Sequence, residues 1–241
     1  MGNDRYAYTN NNPIIHTDPT GHATCDEEGN CYERGRQVES LRTGSTRSMT
    51  FEEMYGISFD GNWTERHRNA VKAAVVKVGQ RLAGSGGNGA TAFQEALGGI
   101  NFTWGDANAN AYCAGNTGGG CTSNSHQINF WGMSGDGTYQ FERGIKNVVH
   151  ELGHAYDNRL GTGPRLDMGA EIYNNRDRIL RPNPVVAGYE LLDWQQHPHD
   201  VSPSEVFADM FIAWTYDAWN TDPYNAQVVS DAQTWMNGWM P

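Results

Sequence analysis

A chain of 241 residues, 38 % apolar and carrying 8 Trp, 8 Phe and 11 Tyr, can bury one core and accommodates one main domain with an appended segment. Its 17 basic and 28 acidic residues give a formal charge of −11, which argues against a phosphate-binding surface and hence against a nuclease. No apolar run approaches the roughly 18 residues of a membrane span, and the polar, Asn-rich start lacks a signal-peptide core.

In chain order, residues 1–22 are a cluster of Asn, Pro and Gly turn formers. Residues 23–60 are mixed polar and predict a linker or loosely packed arm, leaving 61–241 for the main domain. Its first helix is predicted from Trp63 to Leu82, with Ala70, Val71, Ala74, Val75 and Val78 along one stripe and the glycines of 84–89 ending it. A short helix over 91–97 and a strand over 100–104 follow. A glycine-rich loop from Cys113 to Cys121 leads to a second strand over 128–131 and a turn over 132–137. Next comes a helix whose Ile145, Val148, Val149 and Leu152 share a side, stopping by Gly161. Residues 163–188, with three prolines, predict irregular chain lying over a cleft. Ser202 and Pro203 open a helix that buries Val206, Phe207, Met210, Phe211 and Trp214. Asp222 and Pro223 open a last one, which packs Val228, Val229, Trp235, Met236 and Trp239.

The four cysteines fall in two pairs, Cys25 with Cys31 and Cys113 with Cys121, at spacings that match no zinc knuckle. Disulfides closing two small loops suit an oxidising destination. Cys113–Cys121 is the more plausible bridge, because the intervening glycines let the loop close without strain; four free thiols remain the alternative.

The chemistry concentrates in His150-Glu151-Leu152-Gly153-His154. On a helix, histidines at i and i+4 share a face and can take two corners of a tetrahedral metal site. Glu151 lies about 100° round the helix from His150, so it can reach a metal-activated water without being a ligand. A surface helix whose His and Glu merely form ion pairs is the bland alternative. A further histidine on the same run is absent, since Asp157 and Leu160 stand where Gly and His would be needed.

The third ligand is sought on the later helix. Glu205 and Asp209 are four apart and share a face; Glu205 can bind the ion while Asp209 accepts the free ring N–H of a ligand histidine. Ser202-x-x-Glu205 is equally a capping box, in which Glu205 would turn back to the helix start. His197 and His199 are further candidates, as ligand or as oxyanion donor, and Glu171 and Asp157 are weaker ones. Tyr156, Tyr173, Tyr189 and Tyr216 are available to stabilise an oxyanion, and nothing in the sequence chooses among them.

His150 to Ala155, followed by Glu205-x-Phe207-Ala208-Asp209-x-Phe211, resembles the gluzincins, zinc peptidases with a Glu ligand. The Glu-x-x-x-Asp element is similar to that of the thermolysin type, and the fuller Glu-x-Phe-Ala-Asp-x-Phe run to that of lethal factor-like toxins. The resemblance implies that His150, His154 and Glu205 bind Zn2+, that Glu151 is the general base, and that Asp209 supports a ligand histidine. It also implies an edge strand beside the cleft, here the strand over 128–131. Lethal factor-like toxins carry a tyrosine seven residues before the Glu ligand; Pro198 stands there, so that role does not transfer.

Residues 5–21, Arg-Tyr-Ala-Tyr-Thr-Asn-Asn-Asn-Pro through Asp18-Pro19-Thr20-Gly21, resemble the end of the RHS/YD-repeat core of polymorphic toxins. In that family a cut follows this motif, usually behind a leucine; here His22 occupies that place. By this likeness the chain is a piece of a longer effector, secreted or delivered into a target cell. Residues beyond 22 are its toxin, with a target-cell protein as substrate and an immunity protein and the RHS shell as partners. The expectation is thus an α+β, zincin-like metallopeptidase: a small, mostly antiparallel sheet packed on helices, including the active-site helix. Its rivals are a zinc amidase acting on cell-wall peptides and a catalytically silent binding module of the same fold.

Overall fold

The strand Ile100–Trp104 alternates buried Ile100 and Phe102 with half-exposed Asn101 and Thr103, the period of two of a strand with one buried face. The computed structural model describes residues 23–25, 31–33, 36–37, 49–105, 113, 119–131, 138–180 and 202–241. They divide into two compact units, 1–48 and 49–241.

In the first unit, β1 (Ala23–Cys25), β2 (Cys31–Glu33) and β3 (Arg36–Gln37) form an antiparallel sheet in that order, with Cys25 opposite Cys31. The stretch expected to be a linker or arm over 23–60 is therefore divided. Part of it makes this small sheet, and its end opens the second unit, which starts at Met49 rather than 61.

There α1 (Phe51–Tyr55) is started by a reciprocal cap: Glu53 N–H donates to Thr50 Oγ1 and Thr50 N–H to Glu53 Oε2. Gly56, at φ 63°, ends it in the left-handed conformation and turns the chain into β4 (Ile57–Gly61). Helices α2 (Glu65–Ala83) and α3 (Gly89–Leu97) then return the chain to β5 (Ile100–Trp104), which consequently runs parallel to β4. β6 (Gly120–Asn124) and β7 (Gln127–Phe130) complete a four-stranded sheet of order β4-β5-β7-β6.

The pairings β4/β5 and β5/β7 are parallel and only β6/β7 is antiparallel, so the sheet is mixed and the expectation of a mostly antiparallel one is corrected. The cause is the helical crossover between β4 and β5, together with a strand, β4, that the polar run around it concealed. One face buries Ile57, Ile100, Phe102, Ile128 and Phe130. The opposite face is a polar ladder: Ser58 Oγ donates to Asn101 Oδ1 at 3.0 Å, and Asn101 Nδ2 donates to Asp60 Oδ2 at 2.8 Å and Gln127 Oε1 at 3.1 Å.

Helix α4 (Thr138–Arg159) lies against β6 and β7, with α2 and α8 (Pro203–Tyr216) packed on it. Every residue of α8 from Val206 to Thr215 is buried, which makes it the central helix of the core. It meets α4 at Gly153, where an added Cβ would lie 3.0 Å from both Ala208 Cα and Phe211 Cβ. The glycine inside the His-Glu-Leu-Gly-His run is thus required by the crossing of two helices.

Residues 163–179, expected to be irregular, form three short helices: α5 (Gly163–Asp167), α6 (Ala170–Asn174) and α7 (Arg176–Ile179). Pro164 in the first turn of α5 suits a helix start, where its missing N–H costs nothing. Asp167 accepts from the indole N–H groups of Trp235 and Trp239, tying α5 to α9 (Ala226–Trp239), which follows a 3-10 turn at Pro223–Asn225. The chain is α+β, with nine helices among the described residues. No helix among them is long and apolar enough to cross a membrane.

Candidate metal centre

Helix α4 presents His150, Glu151 and His154, and the first turn of α8 presents Glu205. The two imidazole rings stand nearly perpendicular, 85° apart, with centroids separated by 4.7 Å. His150 Nε2 and His154 Nε2 are 3.1 Å apart, and Glu205 Oε2 lies 3.0 Å from the first and 3.2 Å from the second. Among the described residues these three form the group that could hold a metal ion. A tetrahedral ion with bonds of about 2.0–2.1 Å has neighbouring donor atoms about 3.3 Å apart, so the triangle fits. Two imidazole lone pairs aimed at each other at such a distance demand a cation or a shared proton between them.

The capping box does not form. Ser202 makes no side-chain cap bond, Glu205 N–H takes the Ser202 carbonyl at 3.0 Å, and the Glu205 carboxylate turns to the histidines instead.

Each ring is held from behind. His150 Nδ1 donates to Asp209 Oδ1 at 2.8 Å, and both residues are buried. Burial pulls the His150 ring down. The hydrogen bond and charge of Asp209, the Glu205 contact and the Glu151 charge outweigh it, and the ring is pushed up to about 10. His154 Nδ1 lies 3.1 Å from Ser204 Oγ, which also accepts from Arg165 Nη1 at 3.2 Å. Arg165 in turn is anchored by Asp157, through its backbone N–H to Oδ1 at 3.1 Å and its Nε to Oδ2 at 3.3 Å. Asp157 is therefore neither ligand nor direct partner of a ligand, but the buried base of this chain. Burial raises its carboxyl against the lowering pull of the Arg165 N–H and charge.

Glu151 is buried on the sheet side of α4, where the Thr122 hydroxyl lies 2.7 Å from its Oε2 and 2.9 Å from its carbonyl oxygen. Gly120 makes room for it: a Cβ there would come within 2.8 Å of Phe130 Cε1 and 3.0 Å of Glu151 Oε1. Both Thr122 and Gly120 belong to β6. The edge strand beside the site is accordingly β6, and the expectation that gave that place to residues 128–131 is corrected, because β7 lies inside the sheet.

The chain matches no protein-family model, no curated protein and no solved structure.

Tyr156 is buried and spends its hydroxyl on the Trp239 carbonyl at 2.7 Å, which removes it as an oxyanion donor. The ring of Tyr173 carries the Arg176 guanidinium at 5.0 Å, and that of Tyr216 the Lys77 ammonium at 5.2 Å. Glu171 is exposed on α6, outside the ligand group. Tyr189, His197, Pro198 and His199 lie outside the described residues, as do His22 and the head motif. Cys113 and Cys121 are joined by a disulfide with Cα atoms 5.9 Å apart, fastening the second residue of β6 to the loop before it. Sequence reasoning missed Thr122, Gly120, Ser204 and Arg165, none of which stands at a spacing that signals a ligand site.

Proposed function

We propose that this chain is a zinc-dependent metallopeptidase of zincin-like fold that serves as the toxin of an RHS-type effector and hydrolyses peptide bonds in a target-cell protein. The observation that carries the reading is the convergence of His150 Nε2, His154 Nε2 and Glu205 Oε2, with Glu151 on the same helix but outside the triangle. Three protein ligands leave a fourth position open, the mark of a catalytic rather than a structural zinc site. When bound, zinc would supply Lewis acidity at a carbonyl and an acidified water.

The residues of the chain then have separate tasks. Glu151 takes the proton of the attacking water as it adds to the scissile carbonyl, and returns it to the leaving amine. Thr122 donates a hydrogen bond that fixes the Glu151 carboxylate in place. Asp209 keeps the His150 proton on Nδ1, which leaves Nε2 free to bind. The resemblance of residues 5–21 to the RHS core supports the toxin setting, and with it an immunity protein and the shell as partners. The acidic charge of −11 speaks for a protein rather than a nucleic-acid target.

The test combines metal content with proteolysis. Wild-type protein is expected to hold one zinc per chain and to cleave denatured protein substrates. Glu151→Gln should keep the zinc and lose about 10²–10⁴-fold in rate, while His154→Ala and Glu205→Ala should lose the metal. Full toxicity of Glu151→Gln in target cells would instead favour a binding module. Cleavage confined to cell-wall peptides would favour the amidase.

A further inference from the structure

The two ligand histidines are supported by different chemistry. His150 rests on a carboxylate, whereas His154 rests on the hydroxyl of Ser204, a neutral group that approaches it from the first turn of the same helix that carries Glu205. We infer that Ser204, clamped by Arg165 and Asp157, is the positioning residue for His154 and sets how tightly the site holds its metal. This deepens the metal-site reading above and rests on it.

An imidazole that binds through Nε2 must carry its proton on Nδ1, and that proton needs an acceptor. Within hydrogen-bond distance of His154 Nδ1 the structure places Ser204 Oγ at 3.1 Å. A serine hydroxyl rotates freely when nothing holds it, but here Arg165 Nη1 donates into the same oxygen from 3.2 Å. An arginine offers donors alone, so it occupies one lone pair of Ser204 and leaves the second for the His154 proton. The guanidinium is drawn to Asp157, its Nε forming an ion pair with Oδ2 at 3.3 Å, and the Arg165 backbone N–H bonds Oδ1 at 3.1 Å. Asp157 is buried and lies one helical turn beyond His154 on α4, so the clamp starts and ends on the same helix. A cation behind His154 and an anion behind His150 make the two ligands unequal, with His150 the stronger donor.

The experiment measures zinc affinity of the whole chain by competition with a chromophoric chelator, and the absorption of the cobalt-substituted protein. Loss of a group that supports a ligand typically weakens metal binding 10–100-fold. Ser204→Ala is expected to fall about 10-fold or more and to alter the cobalt spectrum, while Ser204→Thr, which keeps the hydroxyl, stays near wild type. Arg165→Met should also weaken binding; should it fail to fold, with Asp157 left unpaired, the Ser204 pair of variants decides alone. Wild-type affinity in Ser204→Ala or in folded Arg165→Met, or equal losses in Ser204→Ala and Ser204→Thr, overturns the inference while leaving the three-ligand site standing. A wild-type chain that takes up no zinc overturns both.

Discussion

Replacing Gly153 by alanine tests whether the crossing of α4 and α8 is what brings Glu205 to the histidines. The added Cβ would meet Ala208 Cα and Phe211 Cβ at 3.0 Å, and Phe211 Cγ at 3.3 Å. Carbon atoms settle about 3.5–4.0 Å apart, so the helices must separate by about 0.5 Å or more. Neither Ala208 Cα nor Phe211 Cβ can rotate away. Overpacking of this kind costs about 1–3 kcal/mol, offset by about 1 kcal/mol from the better helix propensity of alanine. The net destabilisation is about 0–2 kcal/mol, a modest fall in melting temperature. The effect on the site is larger. Glu205 is one turn before Ala208 on α8, and metal–ligand distances tolerate only about 0.2 Å. Zinc affinity is expected to drop at least about tenfold when measured by chelator competition, with the thermal melt only a few degrees lower. Unchanged affinity together with an unchanged or higher melting temperature would refute the idea that this contact sets the ligand geometry.

Metal uptake should depend on pH. His150 is raised from its ordinary 6.5 to about 10 in the metal-free chain, so an incoming ion must displace its proton. Apparent zinc affinity should therefore rise about tenfold per pH unit between pH 6 and 8 from this group alone, and a flat profile in competition titrations would count against it. The same shift stabilises the metal-free fold fully below about pH 6.5, and that contribution is lost as the pH climbs toward 10. Melts of metal-free protein should accordingly fall across that range, and Asp209→Asn should flatten the trend. Thr122→Val removes the hydroxyl beside Glu151 Oε2 at nearly constant volume. A bond to a charged group contributes about 1.5–3 kcal/mol, so on the proposed metallopeptidase reading hydrolysis should slow about tenfold or more at unchanged zinc content, with Thr122→Ser close to wild type.

The helical parts of the site were legible because helices announce themselves locally. The i, i+4 spacing of His150 and His154, the same spacing of Glu205 and Asp209, and the stripe on α2 each follow from 3.6 residues per turn. The strands were legible only where apolar and polar residues alternate, as along Ile100–Trp104. β6 reads Gly-Cys-Thr-Ser-Asn, with no alternation; its extended form is imposed by pairing with β7 and interrupted by a bulge between Thr122 and Asn124. Whether strands run parallel was hidden as well, since the direction of β4 depends on the crossover through α2 and α3 and not on its own residues. Helices α5 to α7 are of four or five residues, too short to show a period. Ser204 and Thr122 escaped notice for a different reason: a single hydroxyl obeys no spacing rule, and its partner is known only once two distant segments meet.

Glu205 and Asp209 sit on α8, the helix most deeply enclosed by the rest of the domain, while Glu151 leans on an outer strand through one threonine. Substitutions at buried Asp209 will therefore lower the stability of the whole body together with the binding of an ion, whereas those at half-buried Glu205 bear on the ion more than on the fold. On the metallopeptidase reading, a descendant of this chain that gave up hydrolysis but stayed folded would lose the proton acceptor first, through changes at 151 or 122, and would keep the three donors for an ion.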